Sequence, residues 1–171
     1  MLNKPRLLTP GPTPLPEEVR LALSRDMVHH RKQDFVRVME GIQPGLQYLF
    51  GTSQQVLPLS CSGTGAMYAA VCTLFSPGER VLVVEGGKFG ERWREIATAH
   101  GLETTSIQLE PGRAVSAEQV RTALAARPEI RGVLVQASET STGVLHPVRE
   151  LGEVTADRKS TRLNSSHTNR S

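Results

Sequence analysis

A chain of 171 residues has room for about one domain, and its 38% of hydrophobic residues are enough to form a core. No apolar run approaches the length of a membrane span, and prolines at positions 5, 10, 12, 14 and 16 interrupt the N-terminus where a signal peptide would be apolar. The net charge of +3 comes from the tail, because the last fourteen residues hold four basic side chains and no acidic one. The preceding 157 residues hold 16 basic and 17 acidic side chains. Composition therefore predicts a cytoplasmic globular protein, with neither a membrane nor a nucleic acid as its partner.

The first fifteen residues predict an extended arm with T-P-G-P-T (residues 9–13) at its centre. Proline fixes φ, and Gly11 supplies freedom between two such fixed points, so the arm should follow a defined irregular path. A plain N-terminal linker is the alternative.

Two helices are expected next. Pro16 begins a helix through Asp26, and a helical spacing of apolar residues over 33–50 predicts a second helix, bent or restarted at Pro44 and closed by Gly51. Between them, His29 and His30 lack a third ligand for a metal site, so a hydrogen-bonded structural role is expected for them.

The stretch L-P-L-S-C-S-G-T-G-A-M-Y-A-A-V (residues 57–71) is an apolar run, a Ser/Gly turn and a helix-forming segment. Glycines let the backbone approach a ligand, and free N–H groups at a helix start attract a phosphate. The turn lacks both the Lys-[ST] ending of a P-loop and the complete dinucleotide fingerprint. A tight strand-to-helix turn is the alternative. Cys61 and Cys72, which flank the turn, are expected to be buried apolar residues, although a reactive thiol at Cys61 is also possible.

After Gly51 the pattern alternates strand and helix. Strands are predicted at 56–59, 80–85, 104–109 and 132–137, and helices at 64–75, 89–100, from Ser116 with a capping box to Gln119, and from Pro147. Near-continuous apolar strands separated by amphipathic helices predict an α/β fold whose parallel sheet is covered on both faces.

Ligands on such a sheet bind at the carboxyl ends of the strands, which gathers three loops in one place. Residues 62–65 offer a phosphate cradle, residues 86–89 an aromatic ring at Phe89, and S-E-T-S-T-G (residues 138–143) a cluster of hydroxyls. Together they predict a site for a phosphorylated heteroaromatic cofactor.

Four motifs then resemble a known family in order and spacing. They are L-L-T-P-G-P-T-P-L-P (residues 7–16), L-S-C-S-G-T-G-A-M-Y-A-A-V (59–71), K-F-G-E-R-W (88–93) and S-E-T-S-T-G-V-L-H-P-V (138–148). They resemble the N-terminal half of the class V aminotransferases, with alanine-glyoxylate and serine-glyoxylate aminotransferases as the most similar group. The resemblance covers residues 1 to about 156 and implies part of the large domain of the PLP-dependent transferase fold type I.

By this resemblance the cofactor is pyridoxal 5′-phosphate (PLP), held at a homodimer interface. The phosphate would lie at Ser62, Gly63 and Thr64, Phe89 would stack on the pyridine ring, and Thr140 would hydrogen-bond near the ring hydroxyl. Gly11, in the arm, would lie near the substrate. The alternatives are a core contact for Phe89 and a turn cap for Thr140.

The lysine that forms the Schiff base of PLP and the acid partner of the pyridine nitrogen lie, in the family, beyond the resembling part. The four lysines here, at positions 4, 32, 88 and 159, match no Schiff-base position. After L-G-E-V-T-A the expected V-D-x-x-S-S strand does not follow, and residues 157–171 read as a disordered, foreign tail.

The sequence thus predicts a fragment, itself inactive, of an aminotransferase that moves an amino group from a small amino acid, alanine or serine, to a 2-oxo acid such as glyoxylate. Two alternatives stay open. One is a non-catalytic phosphate- or PLP-binding module; the other is a fragment of another class V enzyme, a cysteine desulfurase or a lyase.

Overall fold

The computed structural model describes residues 7–156 and 162–165, which fall into two compact units, one ending at Ser60 and one beginning at Cys61. Each unit has its own helices, and the β-strands belong to the second. Within the described residues, no helix combines the length and the apolar character needed to cross a bilayer.

The first unit contains α1 (Glu17–Leu23) and α2 (Gln33–Phe50). Helix α1 ends before the predicted Asp26, whereas α2 has the predicted bounds and runs through Pro44. Gly51 follows α2 in the left-handed conformation (φ 59°), which confirms the predicted helix end. No residue from 7 to 60 is buried.

The strand predicted at 56–59 is wrong, because this segment has no regular structure. The side chain of Gln43, on α2, forms hydrogen bonds with both backbone groups of Val56. Its Nε2 donates to the Val56 carbonyl at 2.8 Å, and the Val56 N–H donates to its Oε1 at 3.1 Å. A strand needs a neighbouring strand for these groups, and none of the described strands pairs with this segment. Leu57 and Leu59 are consequently exposed.

The second unit alternates helices and strands as the sequence predicts, with bounds shifted by one or two residues. Its elements are α3 (Gly63–Leu74), β1 (Arg80–Glu85), α4 (Lys88–Ala99), β2 (Glu103–Gln108), α5 (Ala117–Ala126), β3 (Ile130–Val135), β4 (Ser138–Glu139), β5 (Val144–Leu145), α6 (Val148–Ala156) and β6 (Arg162–Ser165). The short hairpin of β4 and β5 was not among the predicted elements.

The main sheet has the order β2-β1-β3-β6 with every neighbouring pair parallel. Alternate residues of β1 enter different cores, since Val81 and Val83 pack with Trp93 of α4, and Leu82 and Val84 pack with residues of α5 and α6. Both faces of the sheet are therefore covered by helices, which confirms the predicted α/β architecture.

The predicted disorder of residues 157–171 is wrong for Arg162–Ser165, which form β6 beside β3. A parallel edge offers backbone donors and acceptors to any segment, so this pairing does not require the apolar periodicity that the tail lacks. Residues 157–161 and 166–171 lie outside the described residues, and the foreign origin of the tail stays a prediction.

The burial predicted for the two cysteines is also wrong, because both are exposed. The buried residues of α3 are Met67 and Val71, so Cys72 lies on another face of that helix, and Cys61 precedes the helix.

Candidate functional site

The Ser/Gly turn forms the N-terminus of α3, with Ser62 as the extended N-cap residue. No side chain caps this helix, whereas Ser116 and Gln119 form a complete capping box on α5. The Gly65 N–H donates to the Ser62 carbonyl at 2.9 Å, which leaves the N–H groups of Gly63 and Thr64 for an anion. A Cβ added to Gly65 would come within 2.7 Å of the Cys61 Cβ, whereas one added to Gly63 would meet open space. Close packing therefore requires glycine at position 65, and Gly63 leaves the mouth of the turn open.

Helix α4 begins after Gly86 and Gly87, at the carboxyl end of β1, and a buried carboxylate holds its N-terminus. Glu139 has no exposed side-chain area, and its Oε2 accepts the N–H groups of Phe89 at 3.1 Å and of Gly90 at 3.0 Å. Charge-assisted bonds of this kind at a helix N-terminus are among the stronger hydrogen bonds in proteins.

The same carboxylate fixes the β4–β5 hairpin. Ser141 donates to Glu139 Oε1 from its backbone at 3.2 Å and from its hydroxyl at 2.6 Å, and the Ser141 hydroxyl accepts the Lys88 N–H at 3.0 Å. A Cβ added to Gly87 would lie 2.6 Å from Glu139 Cγ and Cδ, so only glycine fits there. We call Glu139, Ser141 and Gly87 the Glu139 clamp. Thr140, within the clamped hairpin, is exposed.

His146 follows β5 and is buried, with an exposed fraction of 2%. The Val115 N–H donates to its Nδ1 at 3.1 Å, which assigns the ring proton of the neutral form to Nε2. Burial lowers the pKa of His146, and the charge of Glu139 opposes this in part. The imidazole is therefore neutral at pH 7 and lies against Gly86 beside the start of α4.

Arg92 connects the cradle to the predicted ring contact. Its Nη1 donates to Thr64 Oγ1 at 3.0 Å, and its guanidinium carbon lies 6.0 Å from the centroid of the Phe89 ring. The Phe89 side chain is partly buried and belongs to neither core cluster. This favours the ligand-stacking interpretation of Phe89 over a core contact.

A pocket of about 520 Å³ lies beside the start of α4. Glu85, in its wall, accepts bonds from Arg94 Nε at 3.0 Å and from Gln108 Nε2 at 3.1 Å. Lys88 donates from Nζ to Glu91 at 2.6 Å, and this bond raises the pKa of Lys88.

Among the predicted site residues, Ser62, Gly63 and Thr64 lie at the start of α3, and Thr64 is linked to Phe89 through Arg92. Thr140 lies between Glu139 and Ser141, which both hydrogen-bond to the start of α4. Gly11 is exposed and lies in the first unit, so its substrate role stays a prediction. Sequence reasoning missed Arg92, Glu139, Ser141 and His146. Arg92 carried a usable signal, since it follows Phe89 by three residues on one helix face.

Comparisons with known proteins identify the family to which this fold is similar. A family model described as aminotransferase class-V matches residues 10–162. The 42 kDa subunit of the soluble hydrogenase of Anabaena cylindrica is 41% identical over 148 residues, which cover 85% of this chain and 39% of that protein.

Two solved structures are similar over nearly the whole chain. The aspartate aminotransferase of subgroup IV from Thermus thermophilus gives a TM-score of 0.86 at 36% identity, covering 94% of this chain and 45% of that one. The alanine–glyoxylate aminotransferase of a Nostoc species gives 0.85 at 31%, covering 96% and 44%. The chain thus spans less than half the length of the proteins that it matches.

Proposed function

This chain belongs to the class V aminotransferases, and from that premise we propose that it forms the phosphate-binding side of a PLP site in an aminotransferase. The observation that carries the proposal is the link from the uncapped N-terminus of α3 through Arg92 to Phe89. It joins an anion-binding helix N-terminus and an aromatic ring, which are the two features that binding of a phosphorylated pyridine requires.

The residues present fit that cofactor. Ser62, Gly63 and Thr64 would bind its phosphate, Phe89 would stack on its ring, and Thr140 would hydrogen-bond near the ring hydroxyl. When bound, PLP supplies the electron sink that amino-group transfer requires. This chain's own part is to bind the phosphate and orient the ring.

For the whole protein we propose transfer of an amino group from a small amino acid, alanine or serine, to a 2-oxo acid such as glyoxylate. Support for the acceptor comes from the alanine–glyoxylate aminotransferase among the similar structures, whereas the aspartate aminotransferase differs in its amino donor. That both are aminotransferases favours this reaction over that of a desulfurase or a lyase. Gly11 would lie near the substrate.

We also propose that the 171-residue chain alone has no aminotransferase activity. Its lysines are Lys4, Lys32, Lys88 and Lys159, and the Lys88 amine is engaged by Glu91. A homodimer in the cytoplasm is proposed for the intact protein. The many exposed apolar side chains of the first unit, such as Leu8, Leu57 and Leu59, support the dimer.

Binding of pyridoxamine 5′-phosphate tests the cofactor assignment, because this form of the cofactor cannot condense with surface lysines. Trp93 is the only tryptophan and is buried one turn after Phe89, so energy transfer to the pyridine should quench its fluorescence. We expect saturable quenching, at least tenfold tighter than with pyridoxamine, which lacks the phosphate. Thr64→Val should weaken binding about tenfold, since it removes a hydrogen bond to a charged group.

Thr98→Val, an exposed change on α4 away from the cradle, is the matched control and should bind as the wild type does. Equal affinity for the phosphorylated and unphosphorylated probes would contradict the phosphate cradle. No quenching by either probe would contradict the cofactor site.

A further inference from the structure

We infer that Arg92 is a positioning residue of the cofactor site, which directs the Thr64 hydroxyl proton at the phosphate and adds positive charge to the start of α3. This inference rests on the proposed function and extends it to a residue to which the sequence analysis assigned no role. Arg92 Nη1 lies 3.0 Å from Thr64 Oγ1, and these two groups belong to consecutive helices of the second unit.

The direction of the hydroxyl proton follows from the hydrogen-bond inventory of threonine. A hydroxyl has one proton and accepts through its lone pairs, and Arg92 occupies the acceptor side of Thr64. A threonine inside a helix donates to a carbonyl of the preceding turn, as Thr73 does to Ala69 at 2.7 Å. Thr64 is the second residue of α3, so the helix has no preceding turn to accept its proton. That proton remains for a ligand.

Among the described residues, the charge of Arg92 is also not matched by a paired carboxylate. On the same helix, Lys88 pairs with Glu91 and Arg94 pairs with Glu85. Within residues 7–156, by contrast, Arg92 forms no ion pair with a carboxylate, and its hydrogen-bond partner is the neutral Thr64 hydroxyl. The guanidinium charge therefore adds to the positive end of the α3 dipole.

Arg92 further couples the two ends of the bound cofactor. Its guanidinium carbon lies 6.0 Å from the Phe89 centroid, at the outer limit of a cation–π contact. One side chain thus contacts both the residue assigned to the phosphate and the residue assigned to the ring. A bound phosphate should restrain Arg92 and, through it, the Phe89 ring.

A double-mutant cycle tests this role, with pyridoxamine 5′-phosphate and inorganic phosphate as probes and Trp93 fluorescence and calorimetry as readouts. Arg92→Gln should weaken both probes about tenfold in the wild-type background and at most threefold in the Thr64→Val background, because the two residues act through one contact. Arg92→Lys restores the charge without the planar fork and should recover part of the affinity. Raising the salt concentration should weaken the wild type more than Arg92→Gln.

The chain offers a matched control in Arg127, which donates to the Thr105 hydroxyl far along the sequence from the cradle. Arg127→Gln should leave the affinity for both probes unchanged. If Arg92→Gln does not fold, Arg92→Lys decides: a loss of about threefold for the phosphorylated probe with none for pyridoxamine supports the role.

Wild-type affinity for both probes in the folded Arg92 variants would overturn the inference while leaving the proposed function intact. A tenfold loss that is equally large in the Thr64→Val background would also overturn it, because Arg92 would then act independently of Thr64. A wild-type chain that binds neither probe would overturn both.

Discussion

At the scale of single residues, His146 shows how burial and a hydrogen bond select one charge state. Its Nδ1 accepts the Val115 N–H, and burial lowers its pKa below the ordinary value for histidine. Protonation would place a second donor against that N–H and a charge in a buried position. The neutral ring is therefore part of the folded state.

The unfolding free energy should consequently depend on pH through His146. A group whose pKa is lower in the folded chain binds its proton more readily after unfolding. The stability is thus complete above about pH 6.5 and falls as the pH decreases from there toward the folded pKa, by at most about 1.4 kcal/mol per pH unit. Urea unfolding at pH 7.5 and 5.5 should show the loss, and His146→Gln, which keeps an acceptor for Val115, should reduce it.

His30→Gln is the control for this measurement, since His30 is exposed and stacks on the neighbouring His29. It should keep the pH dependence of the wild type. An unchanged pH dependence in His146→Gln would contradict the role of the buried ring.

Single residues were predictable from the sequence where their partners are close along the chain. The capping box of Ser116 and Gln119 is confirmed because its two bonds span three residues. The burial of Cys72 was wrong because it depends on which face of α3 meets the sheet. Glu139 was missed because a lone glutamate in S-E-T-S-T-G gives no sign of the helix N-terminus, 49 residues away at Gly90, that it will hold.

At the scale of elements, the Glu139 clamp makes the β4–β5 hairpin and the start of α4 one rigid part. The Glu139 carboxylate accepts the N–H groups of Phe89 and Gly90 in α4 and two donors of Ser141, whose hydroxyl in turn accepts the Lys88 N–H of α4. Phe89 and Thr140, which we propose contact the ring of the cofactor, lie on the two sides of this clamp. Their separation is therefore set by one buried carboxylate.

Glu139→Gln should destabilise the second unit by about 2 kcal/mol, because the amide has one acceptor oxygen and presents its own donors to the Phe89 and Ser141 N–H groups. Urea unfolding measures this loss. Hydrogen exchange at the Phe89 and Gly90 amides should also become faster, which reports the start of α4 directly.

Glu118→Gln provides the comparison, since Glu118 also lies in the first turn of a helix but is exposed. A loss of only a few tenths of a kcal/mol is expected for it. Equal effects of the two substitutions would mean that burial of Glu139 adds nothing to the clamp.

Helices were easier to predict than strands for a related reason. Helix α2 has the predicted bounds because its amphipathic pattern and Gly51 are local signals. The apolar residues at 56–59 have the composition of a strand, but a strand exists only beside a partner, and the described residues hold none for this segment. The order of the main sheet is likewise a property of distant pairings.

At the scale of the whole molecule, the two units differ in how they bury apolar side chains. The second unit has two cores, one on each face of its sheet. In the first unit no residue from 7 to 60 is buried, and Met27, Tyr48, Leu57 and Leu59 are largely exposed. Apolar surface on that scale favours association.

We therefore expect the chain to self-associate, with a weight-average sedimentation coefficient that rises with concentration. Replacing Leu57 and Leu59 together by glutamine should shift the distribution toward the monomer, because both side chains are about two-thirds exposed, at 69% and 67%. Analytical ultracentrifugation measures both effects.

Leu145→Gln is the control, because Leu145 is equally exposed but belongs to the second unit. It should leave the sedimentation profile unchanged. A wild-type chain that stays monomeric at every concentration would contradict the expectation.

The link from Thr64 through Arg92 to Phe89, together with the Glu139 clamp, has a consequence for biosynthesis. All of these groups lie between Cys61 and His146, and the strands β1, β2 and β3 beside them pair with one another within residues 80–135. Since the N-terminus of a chain leaves the ribosome first, this side of the site can assemble once the residues through α6, which complete the core on one face of the sheet, have emerged. The nascent protein would then possess an anion-binding site before its synthesis is finished.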